Sequence, residues 1–71
     1  MKTSAAERAR ARARRLYPRS TAFQGAYMKG ARAALAGKGP DACPYRRDPR
    51  RSWTQNFRVA WMRGHASISD V

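Results

Sequence analysis

The chain has 71 residues and a mass of 8.0 kDa, room for one small domain and no second. Sixteen Lys+Arg face four Asp+Glu for a formal net charge of +12 and a sequence pI near 11.7; thirteen of the sixteen cations are arginine, and fourteen alanines dilute the 42% hydrophobic content. These values exclude a large core, a membrane span of roughly 18 apolar residues, an internal disulfide (Cys43 is alone) and, with one His, a four-ligand zinc site.

Residues 1–18 read as an Arg-rich arm or helix. Ser4 followed by Glu7 is a capping-box pattern, alanine and arginine both favour helix, and Pro18 stops the segment near Tyr17. Wound at 100° per residue, Arg8, Arg12 and Arg15 fall on one stripe and Arg10 and Arg14 on another, leaving no apolar seam to dock with. Such a segment suits either a solvated arm or one that becomes helical on a phosphate backbone.

Residues 20–36 are predicted as the second helix, with Ser20 or Thr21 as N-cap and Gly37 as the left-handed C-terminal glycine. Phe23, Tyr27, Gly30, Ala31 and Ala34 share a face small enough for close approach, while Lys29 and Arg32 point away. Residues 37–48 are turn-rich, and Asp48 with Pro49 opens a third helix running to about Gly64. Its seam is Trp53, Phe57, Ala60, Trp61 and Gly64, opposite Arg51, Gln55, Arg58 and Met62. No internal repeat or strand signal appears, and the tail, 67–71, is expected to be disordered. The economical fold is all-α: an antiparallel two-helix hairpin over 19–66 with an additional Arg-rich N-terminal helix. In it Phe23 and Tyr27 face Trp61, Leu35 lies near Trp53, and Cys43 and Tyr45 close the open end.

So dense a charge opposes compaction unless a polyanion neutralises it. Nucleic acid is favoured over an anionic membrane, because guanidinium is planar, binds phosphate bidentately and stacks on bases, whereas a membrane helix needs large apolar residues opposite its cations. Arg46, Arg47, Arg50 and Arg51 bracket the start of the third helix, where the dipole also favours anions, and Arg58 extends that strip. Tyr45 beside it either stacks on a base or packs under the loop. The candidate nucleic-acid-binding set is therefore Arg8, Arg10, Arg12, Arg14, Arg15, Arg32, Lys38, Tyr45, Arg46, Arg47, Arg50, Arg51 and Arg58.

Catalysis finds little support. His65 stands beside the tail, the acids Glu7, Asp41, Asp48 and Asp70 are scattered, and Gly37-Lys38-Gly39 lacks the spacing and the preceding strand of a phosphate loop. Cys43 near Arg46 and Arg47 is either an activated thiol or a small packing residue. No enzyme activity, cofactor or metal is expected. The basic start has no apolar h-region, so no secretory signal is expected either, and the expected location is the reducing cytoplasm.

The stretch from Lys29 to about Ala60 carries Gly30-Ala31-Arg32-Ala33-Ala34-Leu35-Ala36-Gly37, a five-residue spacer, Cys43-Pro44-Tyr45, then Arg51-Ser52, the aromatic pair Trp53 and Phe57, Arg58 and Ala60. In this it resembles the ribosome modulation factor family. The resemblance implies a helical hairpin that binds 16S ribosomal RNA near the mRNA exit, blocking initiation as a hibernation-type stress response. Some small plasmid- or phage-associated relatives are described as fluoroquinolone-modifying enzymes, so an antibiotic phosphotransferase is one alternative. Another is a protein-interaction module, including a homodimer through Trp53, Phe57 and Trp61.

Overall fold

The computed structural model describes residues 4–45 and 52–69, the side chains of 52–55 and 69 excepted. The described residues form three α-helices and a short 3-10 turn (Pro40–Ala42), with no strand among them. Helix α1 spans Ala5–Leu16. Ser4 starts it by accepting the Glu7 N–H on its side-chain oxygen at 3.2 Å. Pro18 ends it by disfavouring helical geometry in the preceding residue, and Tyr17 indeed sits at φ −130°, ψ 62°.

The turn into helix α2, Thr21–Leu35, is held at Tyr17. Its carbonyl accepts the Ser20 N–H at 3.3 Å and the Gln24 side-chain amide at 2.7 Å. The Ser20 hydroxyl caps α2 by accepting the Phe23 N–H at 3.2 Å. Ser20→Ala is expected to cost about 1 kcal/mol, the usual value of a lost N-cap, read as a lower urea midpoint at unchanged m-value. At the other end Gly37 takes φ 79°, and the N–H groups of Lys38 and Gly37 reach back to Ala33 and Ala34 at 2.9 and 3.0 Å. This Schellman arrangement turns the chain off the helix axis at Gly37, a residue with no Cβ to oppose it.

Helix α3, Ser52–Ser69, packs along α2, and the two meet backbone to backbone. A Cβ added to Gly30 would overlap the Trp61 carbonyl, and one added to Gly64 would overlap the Tyr27 carbonyl. The direction of α3 differs from the expected hairpin. Phe23 and Phe57 each lie seven residues before their glycine. An antiparallel pair crossing at those glycines would separate them by roughly 21 Å along the axis, at 1.5 Å per residue. Their ring centroids are instead 4.8 Å apart. The two helices therefore run the same way, and the loop after α2 must carry the chain back. It does so along the pair: the Lys38 carbonyl meets His65, whereas Tyr45 stacks on Phe57 at 5.5 Å and 21°. Leu35 consequently ends up far from the Trp53 end of α3 and remains 48% exposed.

The parallel pair exposes a repeat that reading the chain for periodicity overlooks. Residues 23–30, FQGAYMKG, and 57–64, FRVAWMRG, share Phe, Ala, Met and Gly in register, with Tyr against Trp and Lys against Arg. Most equivalent positions have equivalent environments, Gly25 against Val59 and Met28 against Met62 excepted. Ala26 and Ala60, Tyr27 and Trp61, and Gly30 and Gly64 are all buried, while Lys29 and Arg63 are exposed. Each helix thus offers a large aromatic residue and a glycine gap, and the backbone carbonyl of that residue borders the gap of the other helix.

Helix α1 lies across this pair, mainly on α2. It docks through Ala9 and Ala13, which join Tyr27, Met28 and Ala31 in the core. The expectation that α1 has no docking seam is corrected here: two alanines one turn apart suffice, because methyl groups allow close approach. Of the tail expected to be disordered, residues 67–69 belong to α3, and residues 70 and 71 lie outside the described residues. His65 and Ile68 extend the Phe57, Trp61, Gly64 face by one more turn, and Ile68 packs against the core. Buried His65 stacks on Trp61 at 5.3 Å and meets the Lys38 carbonyl at 2.7 Å through Nε2. A carbonyl can only accept, so Nε2 carries the proton.

Candidate nucleic-acid interface

Docking by Ala9 and Ala13 decides where the arginines go. The two stripes read from the sequence flank that alanine seam, one on each side of α1. Arg10 and Arg14 line a groove of about 320 Å³ against α2, together with Thr21, Gln24, Lys29 and Arg32. On the other flank Arg12 and Arg15 join Arg63 of α3 in a groove of about 370 Å³, and Arg8 stands with Arg12 beside Ser67 and Ile68. Arg8, Arg10, Arg12, Arg14, Arg15, Arg32, Lys29 and Arg63 are all exposed. Between Arg8 and Pro40 the sequence contains nine cations and no Asp or Glu.

A solvated helix could carry such arginines for local reasons. Glu7 in the first turn and Arg14 and Arg15 in the last do complement the helix dipole of α1. That accounts for two cations and not for the convergence of Arg10, Arg14, Lys29 and Arg32 on one groove without a carboxylate. Bringing four like charges together raises the free energy unless an anion enters between them.

Of the sequence-derived candidates, Arg10, Arg14 and Arg32 come together in the α1–α2 groove, and Arg8, Arg12 and Arg15 share the opposite flank. Lys38 is exposed at the far end of α2, where its carbonyl is engaged by His65. Arg58 is half-buried rather than fully on an outer face. Tyr45 is half-buried with one ring face on Phe57, and Phe57 contacts Phe23, which in turn contacts Tyr17. Packing is therefore the role seen for Tyr45. Arg46, Arg47, Arg50 and Arg51 lie outside the described residues.

Two cations were missed. Helical spacing turns Lys29 away from the packed face and gives Arg63 no part, yet each completes one of the grooves. They are equivalent positions of the repeat, and because α1 sits astride the pair, one falls on each flank. The recurring Met-(Lys/Arg)-Gly triplet was the available signal.

The aromatic seam offered for self-association is engaged within the chain. Trp61 is 2% exposed and Phe57 stacks between Phe23 and Tyr45. A homodimer through Trp61 would require the α2–α3 pair to open; the Trp53 side chain lies outside the described residues. Cys43 is a half-buried free thiol whose Sγ lies 3.6 Å from the Tyr45 carbonyl. Among the described residues no group of three His, Cys, Asp or Glu could hold a metal ion, and no helix is long and apolar enough to cross a membrane. Compared with known proteins, the chain matches no family model, no curated protein and no solved structure.

Proposed function

We infer that this chain is a small RNA-binding protein that grips structured ribosomal RNA through the arginine-flanked α1 and inhibits translation by occupancy, in the manner suggested by its resemblance to ribosome modulation factor. The reading rests chiefly on the α1–α2 groove, where Arg10, Arg14, Lys29 and Arg32 converge with no carboxylate among its lining residues. Phosphodiester fits such a groove: each guanidinium offers paired N–H donors to phosphate oxygens, and binding releases condensed counterions. Thr21 and Gln24 add neutral hydrogen-bonding groups for ribose or phosphate oxygens. No bond is made or broken in this mechanism, and its site of action is the cytoplasm.

Sedimentation of a cell lysate through a sucrose gradient tests the reading directly. The chain is expected in ribosomal fractions at low salt and at the top of the gradient at high salt. With about six phosphates neutralised, log affinity should fall with log salt at a slope near −4 to −5. A chain that stays at the top at every salt concentration, or an affinity indifferent to salt, would overturn it.

A further inference from the structure

The two flanks of α1 differ chemically, and the difference points to a division of labour. Whereas the α1–α2 groove has four cations with Thr21 and Gln24 around a floor that includes Met28, the α1–α3 groove has a mostly apolar wall of Leu16, Tyr27 and Ala66, with Ser67 beside it, beneath a rim of Arg12, Arg15 and Arg63. Leu16 is 50% exposed at the last position of α1, an aliphatic surface beside three guanidiniums. Arg63 is steadied by the hydrogen bond its Nη1 donates to the Tyr17 hydroxyl at 3.2 Å. Its other N–H groups are not taken up by that bond.

We propose that the α1–α3 groove seats one unstacked nucleotide of single-stranded RNA, its base against Leu16 and Ala66 and its phosphate among Arg12, Arg15 and Arg63. The proposal rests on the RNA-binding reading and deepens it. A volume of about 370 Å³ is of the size that holds a small ligand. The ligand must present an apolar face and an anion within one residue's length, and a nucleotide with a splayed base does both. Paired RNA does not, since its bases are stacked away and its major groove is too narrow for side chains to read. Arginine planes at the rim can stack on the base as well as hold its phosphate. The α1–α2 groove on the opposite flank then tracks backbone, so unpaired loops are distinguished from duplex by one flank and retained by the other.

The test is fluorescence anisotropy of the full chain with three labelled RNAs carrying equal numbers of phosphates: a hairpin with an intact loop, the same hairpin with abasic loop residues, and a duplex. The intact loop is expected to bind about tenfold more tightly than the abasic loop or the duplex, the usual effect of one stacked base. Leu16→Gln, neutral and helix-compatible, should remove that preference while leaving duplex affinity and its salt slope as they were. Ala66→Leu, which fills the groove from the opposite wall, should do the same. Equal, salt-dependent binding of all three RNAs by the unmodified chain overturns the nucleotide seat and leaves the phosphate grip standing. Capture of none of the three, or tight capture of an acidic amphipathic peptide in their place, overturns both.

Discussion

Gly64→Ala is expected to destabilise the fold by about 3 kcal/mol or more, the upper range for overpacking, because the new methyl would occupy the position of the Tyr27 carbonyl. The obstacle is backbone, not the flexible end of a side chain, so the helices must separate to admit it. Separation strips contacts from Tyr27 and Trp61, the largest fully buried side chains. A domain of this size commonly has only about 3–5 kcal/mol in hand, so one methyl group should leave much of the population unfolded at room temperature. Gly30→Ala meets the Trp61 carbonyl and should behave alike. Gly25→Ala provides the contrast. It sits inside α2 with nothing within 4 Å of the added Cβ, so better helix propensity should raise stability by about 0.5–1 kcal/mol. Thermal unfolding followed by far-UV circular dichroism checks all three; a Gly64→Ala chain that melts with the parent would mean that α2 and α3 do not meet as described.

The double substitution Arg10→Glu, Arg14→Glu should leave the fold intact and remove most of the affinity for RNA. Both side chains are exposed, both lie off the Ala9–Ala13 seam, and glutamate is a good helix former. A small cost in helix stability is expected from Glu at position 14, in the last turn of α1, where the dipole favours cations. Binding should suffer far more. Two phosphate contacts become repulsions in a groove shared with Lys29 and Arg32. The loss should be at least about tenfold at low salt, and the log–log salt slope should become shallower by about two, one for each contact. Reversing Arg19, exposed in the turn after α1 and lining neither groove, controls for net charge. If Arg19→Glu weakens binding per charge as much as the groove substitutions, affinity follows overall charge and the groove has no special part in it.

Much of the local structure was legible in the residues. Ser4, Pro18, Ser20 and Gly37 mark helix ends through interactions confined to a few neighbours, and each acts in the structure as its chemistry requires. The division of the α1 arginines into two stripes was likewise a matter of helical pitch. Two errors share another origin. The pattern places Gly64 on the apolar seam but ends the helix near it, whereas the structure buries it inside α3, where it lets the Tyr27 carbonyl come close. Two amphipathic helices joined by about a dozen turn-rich residues suggest a hairpin, but a connection of that length also reaches back along the pair to Tyr45 and Phe57. Neither residue identity nor spacing distinguishes a glycine that ends a helix from one that admits a neighbour.

By itself, then, the sequence determined the all-helical class, the cap positions of α1 and α2, and a strongly positive net charge, since all of these depend on near neighbours or on simple sums. Only the tertiary structure decided that α2 and α3 are parallel copies of one motif, that α1 docks by two alanines, and that Lys29 and Arg63 complete the grooves on its flanks. Those outcomes depend on which backbones can approach closely, and that is a property of paired surfaces meeting across 34 residues of chain.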